Sequence, residues 1–508
     1  MEAEEPVSLL LQLPEPCLLA ILRLLEHDPD SLCAAARAHS RLHQVALLVP
    51  RHIKAVVNQQ RLDSLLQHLS QHSSSVQVAS MDLKGTQIEI RHGPHGPHNE
   101  PWPTLRQLPT SRKLASLQLT DFNVQMQPGH GFEGVLGAAA QLPLQQLLLR
   151  DCELLDGIER LEAALLLLPA LEHLSVGYLC SGRDPYIGSR FCCLSSDVLQ
   201  QLQRLTHLSI SGAICESTAQ AATTLQPLSA LTNLQDLRLC PQRDGNKYSL
   251  TASMISGLPC LTRLELSRLA SFEPAALAGK TLLHHLQLSC CRLSSSSEGT
   301  VQLLSQLQNL QQLTYLDLGW LTCDIERGNP PVAAFSALTA SSKLRHLDLD
   351  WLILPAGVWQ HVFSAGKLLP QLSSLSVAGV RQPSGKDSRS FLEAEAPTGF
   401  QLVSCCPGLQ YLDLQGLRKS AGKAVLAPLQ GLSGLRTLLI NPAHGSGGEG
   451  LVEVCKMTGL QELSIECCRG FPEGMLQQLT QLQQLTSLNC RGRPGQRMAF
   501  ESKVRLSH

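Results

Sequence analysis

Two segments of this chain carry side chains with the chemistry of a binding surface. Tyr315-Leu316-Asp317-Leu318-Gly319-Trp320 and His346-Leu347-Asp348-Leu349-Asp350-Trp351 set a ring, a carboxylate and an indole at the same spacing. Tyr411 and Asp413 repeat the first two features further on, and Glu265 stands at the carboxylate position upstream. Indoles supply rigid apolar contact area and carboxylates supply charge selection, a combination suited to recognising another protein. The competing reading is that Trp320 and Trp351 fold over a sheet edge as ordinary packing.

Bond-making chemistry has much less support. His173, His207, His284, His285 and His346 recur because their leucine context recurs, and none has an evident nucleophile or carboxylate relay beside it. The chain holds no glycine-rich phosphate loop, no H-E-x-x-H and no G-x-S-x-G. The adjacent pairs Cys192-Cys193, Cys290-Cys291, Cys405-Cys406 and Cys467-Cys468 lack the spacing and histidine partners of a zinc site. Residues 92–103 carry three histidines among glycines and prolines and read as a loop. No cofactor is expected, and the chain reads as a non-enzyme. An enzyme with its site in an insertion at 379–397 is the outlying alternative, and it requires an ordered pocket there.

The elements that position these residues follow from a period. The pattern L-x-x-L-x-L recurs 14 times, with its first leucine at Leu114, Leu144, Leu171, Leu205, Leu234, Leu261, Leu283, Leu313, Leu344, Leu372, Leu409, Leu435, Leu460 and Leu485. Such a period resembles a leucine-rich-repeat array. The first, fourth and sixth positions point inward, the alternation makes a short strand, and neighbouring copies align into a parallel sheet. Segments such as 301–312 and 473–484 carry leucines three and four apart among glutamines and predict helices or helical turns on the outer face. The expected fold class is an α/β leucine-rich-repeat solenoid, a curved horseshoe with parallel strands on the concave face. The ninth position is apolar in 12 of the 14 copies, so the turn there is held by burial. Insertions at 175–193 and 379–397 each remain open between a disordered loop and a recognition loop.

A solenoid also reconciles 508 residues with the absence of one large core, because each repeat buries its apolar side against two neighbours. Net charge is −1, which gives no electrostatic case for nucleic acid or an anionic membrane. The longest apolar run, 163–170, is far short of a bilayer span. The acidic start lacks the basic flank of a secretory signal. The 18 cysteines show no paired framework and read as reduced, which points to the cytoplasm or nucleus.

Ahead of the array, Leu13-Pro14-Glu15 marks a helix start, followed by Leu18, Ile21, Leu22 and Leu25 at helical spacing. The turn at 27–30 breaks that helix, and a second runs from near Ser31 through Leu32, Leu42, Val45 and Ala46. This segment resembles an F-box, with Pro16 and the lack of a late tryptophan as departures. The expected organisation is a short N-terminus (1–8), an F-box-like helical domain (9–48), a helical bridge (49–75), an atypical first repeat with its loop (76–113), the array (114–493) and a tail (494–508).

The two resemblances together imply an F-box/leucine-rich-repeat protein, similar in style to green-algal members. The family is one of substrate receptors of SCF-type ubiquitin ligases. The implied partners are a Skp-family adaptor, docked through Leu13, Pro14, Leu18, Ile21, Leu22, Leu25 and Leu32, and through it a cullin. The target protein would be held at Glu265, Tyr315, Asp317, Trp320, Asp348, Asp350, Trp351, Tyr411 and Asp413. Outside that complex the chain would be a monomer, with no nucleic acid and no membrane among its partners. The alternative is a non-catalytic repeat scaffold, cytoskeletal or otherwise, with the N-terminal helices as a cap.

Overall fold

The computed structural model describes residues 9–25, 29–46, 48–49, 51–71, 78–85, 104–105, 114–120, 122–124, 144–150, 152–154, 158–177, 196–211, 226–240, 249–294, 298–322, 330–383, 391–393, 396–417, 422–441, 449–466 and 478–491. They fall in two compact units, residues 1–244 and 245–508.

The first unit opens with helices α1 (Glu15–Arg23), α2 (Pro29–Ala38) and α3 (Ser40–Ala46). Pro14 caps α1 and Pro16 lies in its first turn, where amides have no intrahelical partner to lose. The single helix expected from Ser31 to Ala46 is two. It breaks at His39, whose Nδ1 accepts the Arg41 amide at 3.1 Å and so supplies the acceptor that a new helix start needs. Leu18 and Leu22 pack in one apolar cluster with Leu42, Val45, Ala46 and Val49. Arg41 fixes the entry to α1 by donating to the carbonyls of Leu11 and Leu13, the latter at 2.7 Å.

Residues 51–75 depart from the helical bridge expected of them. Arg51–Val57 is a strand, and among the described residues of this stretch Gln59–Gln71 is helical. The reason lies in Ile53, Ala55 and Val57, whose alternation suits a pleated surface with one face covered. The strand pairs parallel with Val78–Gly85, setting Ile53 against Met81 and Ala55 against Leu83. The ladder therefore starts before the first copy of the leucine pattern. Five further strands, from Ser116 to Cys240, continue this unit's ladder, with Leu117, Leu147, Leu174, Leu208 and Leu237 in one register row.

The second unit repeats this row as Leu264, Leu286, Leu316, Leu347, Leu375, Leu412, Leu438, Leu463 and Leu488. All 14 copies of the pattern carry a strand that begins two residues after the phase leucine. Their ninth positions are buried wherever described, Phe122, Leu269, Leu321, Leu352, Val380 and Leu417 among them. Cys152 and Cys291 do more than fill space there. Each thiol donates to the sixth-position carbonyl of the preceding copy, Leu119 at 3.6 Å and Leu266 at 3.5 Å. Between strands run helices such as Gly299–Asn309, which buries Leu303, Leu304 and Leu307, and Gly399–Cys405, started by a capping box of Thr398 and Gln401. The insertion at 379–397 contains an antiparallel pair, Arg381–Pro383 with Phe391–Glu393. The 92–103 loop, most of the 175–193 insertion and the 494–508 tail lie outside the described residues. No described helix is long and apolar enough to cross a membrane.

The N-terminal packing can be checked directly. Leu18→Asp puts a charge into a site with 0% exposure, so hydrogen exchange should show α1 to α3 unprotected. Leu24→Asp, at a position 82% exposed, should shift stability by no more than about 0.5 kcal/mol.

Candidate partner-binding face

In the second unit the strand register carries equivalent positions of successive copies into columns. At the third position the column runs Arg263, His285, Tyr315, His346, Ser374, Tyr411. Its middle is a stack of rings. His285 and Tyr315 have centroids 4.0 Å apart at 10°, and Tyr315 and His346 lie 4.3 Å apart at 4°. Glu265 is engaged at the upstream end, bonded to Arg263 and 3.1 Å from His285 Nε2.

The aspartates of the fifth position have a structural task. Asp317 Oδ1 accepts the Gly319 amide at 2.7 Å, Asp348 Oδ1 that of Asp350 at 2.9 Å, and Asp413 Oδ1 that of Gln415 at 2.9 Å. Each carboxylate thus takes the amide two residues on and ends the strand. Strands here have three residues, against five at Arg263–Ser267 and His285–Ser289. In the copy that has Ser376 instead, Asp350 of the preceding copy serves, accepting from Ser376 Oγ at 2.5 Å and the Ala378 amide at 2.8 Å. Asp317 and Asp413 are buried, so the acidic surface expected from the sequence is narrower than the residue list implied.

Asp317, Asp348 and Asp350 are held above the ordinary carboxylate range. Burial, then the charge of Asp350, then those of Asp317 and Asp413, raise Asp348 to about 7. Burial likewise raises Asp317 and Asp350, against the pull of their amide bonds. Among the described residues, the groups that act most on Asp348 and Asp350 include no lysine or arginine. Burial and the neighbouring Asp317 push the Tyr315 hydroxyl up to about 12, and burial followed by Asp413 raises Tyr411. Burial, followed by His285, lowers the His346 imidazole below its ordinary range.

The eighth position is the least expected feature. Arg268, Cys290, Trp320 and Trp351 have φ of 58° to 60°, and Gly379 and Gly416 continue the series at 62° and 68°. Six consecutive copies therefore pass through the left-handed region at one place, where glycine is at ease and a bulky side chain is an outlier. Trp320 and Trp351 hold that conformation with their indoles outside, 53% and 38% exposed. The two rings stack at 4.5 Å and 20°. Trp351 lies against Gly379, where any Cβ would sit 2.7 Å from its Cδ2 and Cε2. Arg381 completes the group with its guanidinium carbon 5.0 Å from the Trp351 ring centroid. Trp320 and Trp351 are thus both partly exposed and stacked, and Trp351 also packs on the Gly379 backbone.

The expected adaptor-binding residues separate sharply. Leu18 and Leu22 are interior, which corrects their assignment as docking side chains, while Pro14 and Ile21 are exposed and Leu13 and Leu25 half-buried. Leu32 lies in α2, and its side chain is outside the described residues. The exposed Leu24 was not anticipated. Among the described residues no group of three His, Cys, Asp or Glu side chains is placed to hold a metal ion. Gly379 and Arg381 were also missed, although Gly379 and Gly416 share the phase of the tryptophans and so signalled a left-handed position.

No family model matches the chain. No curated protein matches it by sequence. Among solved structures it is similar to an internalin from Listeria monocytogenes, at 15% identity over 72% of this chain and 86% of that one, with a TM-score of 0.44. It is also similar to a plant peptide hormone receptor, at 16% identity over 83% of this chain and 60% of that one, with a TM-score of 0.40.

Two measurements probe this geometry. Trp320→Gly trades about 1 kcal/mol of stacking for relief of about 1–2 kcal/mol of left-handed strain, so its melting temperature should stay near that of the parent. Gly379→Ala, forced against the Trp351 ring, should cost more than about 2 kcal/mol in denaturant unfolding. The second concerns pH. With its carboxyl held above the unfolded range, the stability linked to Asp348 is full below about pH 4 and is lost as pH rises through about 7. Asp348→Asn keeps the Oδ1 acceptor, so its melting temperature should fall less than the parent's between about pH 5 and pH 8.

Proposed function

We propose that this chain is a non-catalytic leucine-rich-repeat interaction module whose second unit binds a protein partner through the face that holds Trp320 and Trp351. The observation that carries this reading is the pair of stacked, exposed indoles kept in the left-handed backbone region. Bulky residues persist there only where the surrounding structure enforces it, and such outliers cluster at binding sites. Exposed paired indoles are also the usual anchors of protein interfaces.

The finer reading is a substrate receptor of an SCF-type ubiquitin ligase, in which the N-terminal helices dock on a Skp-family adaptor and hence a cullin. It rests on the sequence resemblance of residues 9–48 and on the outward-facing apolar side chains of α1 and its end, Ile21 and Leu24. Such a receptor contributes proximity, bringing a lysine of the bound target to a charged enzyme. In this reading Ile21 and Leu24 take the roles that the sequence had given to Leu18 and Leu22.

Each level has its own test. For the module, the full chain and its Trp320→Gly/Trp351→Gly variant would be used side by side as affinity matrices, with quantitative mass spectrometry of what each retains. A set of proteins held by the parent and lost by the folded variant is expected, and identical retention by both would sink the reading. For the receptor, titration against a purified Skp-family adaptor should give tight binding that weakens at least about tenfold in Ile21→Asp/Leu24→Asp. A folded parent that does not bind leaves the module without the ligase.

A further inference from the structure

Asp350 joins the two tryptophan turns to each other and to the copy that follows. Its amide donates to Asp348 Oδ1 at 2.9 Å, and its carbonyl accepts the Trp320 amide at 2.7 Å. Its Oδ1 accepts from Ser376 Oγ and from the Ala378 amide, and the Ala378 carbonyl in turn accepts the Trp351 amide at 2.7 Å. Asp350 therefore fixes the backbone of Trp320 directly and that of Trp351 through the next copy. The Asp348 side chain hydrogen-bonds to the Asp350 side chain as well. Two ionised carboxylates are acceptors alone, so a bond between them requires a proton. Asp348 is the one that carries it, because Asp350 Oδ1 already accepts a hydroxyl and an amide, which favours the charged form of Asp350.

From this geometry we infer that Asp348 and Asp350 share one proton and position the tryptophan pair, which stays stacked while the proton is held and comes apart when it is lost. The inference rests on the partner-binding reading of this face and adds its regulation by pH. With the proton in place, Asp348 Oδ1 accepts the Asp350 amide while the Asp348 hydroxyl donates to the Asp350 carboxylate. Once the proton passes to solvent, two carboxylates repel across a single turn, and Asp350 is driven from Ser376 and Ala378. The Trp320 amide hangs on the Asp350 carbonyl, so the disturbance reaches both indoles. Neighbouring groups do not replace the proton. Asp317 of the preceding copy and Asp413 further on add negative charge at Asp348. Burial and these aspartates hold the Tyr315 and Tyr411 hydroxyls in their neutral form. His285 and Glu265 act on Asp317 with opposite signs, and Glu265 is bonded to Arg263. His346, on the strand of Asp348, is lowered by burial and by His285, and Arg381 lies at the Trp351 ring. Asp348 is raised to about 7, so the stacked arrangement is favoured below that pH and lost as pH rises through it.

The test follows the indoles of the full-length chain and needs no partner. Stacked indoles couple their electronic transitions, so the circular dichroism of the parent minus that of Trp320→Gly isolates the signal of the pair. That difference should be full at about pH 5 and fall at least about twofold by about pH 8, with its midpoint near 7. Asp348→Asn keeps the Oδ1 acceptor and offers an amide N–H to the Asp350 carboxylate at every pH. Its own difference, taken against Asp348→Asn/Trp320→Gly, should therefore stay level over the same range. The histidines of the ring column are unchanged in that variant, so a transition of theirs would persist in it. As a measurement free of substitutions, infrared spectra of the parent grown with isotope-labelled aspartate should show a protonated-carboxyl band that vanishes between about pH 6 and about pH 8. A pair signal that is absent at about pH 5, level to about pH 8, or equally pH-dependent in Asp348→Asn overturns the inference, and so does the lack of that infrared band. Loss of the module reading would appear instead as identical protein retention by the parent and the double-tryptophan variant, with the pH-dependent pair signal intact.

Discussion

Everything on the binding face depends on the burial of leucine at the first, fourth and sixth positions of each copy. In the second unit one register row of nine leucines runs from Leu264 to Leu488 without a shift in phase. A one-residue slip anywhere would turn apolar side chains outward, so the register is strongly held. Parallel strands then lie about 4.8 Å apart, close to the distance at which flat rings stack. Rings at the same position of adjacent copies therefore meet with no further instruction. His285, Tyr315 and His346 stack for this reason, as do His173 and His207 in the first unit, 3.9 Å apart.

The aspartates illustrate how one side chain serves both architecture and recognition. By accepting the amide two residues ahead, Asp317, Asp348 and Asp413 end their strands early, while the left-handed eighth position is shared with copies that lack the aspartate, at Arg268 and Cys290. Asp317 and Asp348 are also drawn together where burial and neighbouring carboxylates disfavour their charged forms. Stability is given up at this place, and the loss coincides with the exposed indoles, as expected where local rules are broken at functional sites.

Much of this was legible in the sequence because the repeat supplies its own controls. A pattern that returns 14 times fixes strand, phase and inward face far better than any one copy, and all 14 strands are present. Legibility failed where no repeat supported the reading. Arg51–Val57 lies outside the pattern, and its Ile53, Val56 and Val57 fit helical spacing as well as strand alternation. Leu18 and Leu22 were assigned to a partner because the resemblance to an F-box implies a docking face there, yet α3 and Val49 cover them. The rings and carboxylates of the site were found by their shared positions, but not the backbone that holds them. The left-handed turn was masked by its tryptophans, because they are the residues least expected to adopt it.

The left-handed series at the eighth position has a consequence for how such a face changes over time. A backbone that accepts glycine, cysteine, arginine or tryptophan at one place in successive copies separates the identity of the contact from the integrity of the fold. An indole can be lost at a copy such as that of Trp320 by a single substitution with the leucine row unaffected, whereas Gly379, pressed against Trp351, has no room for a side chain while that ring is present. Recognition would then migrate along the array in steps of one strand, and related chains could read different partners from the same scaffold.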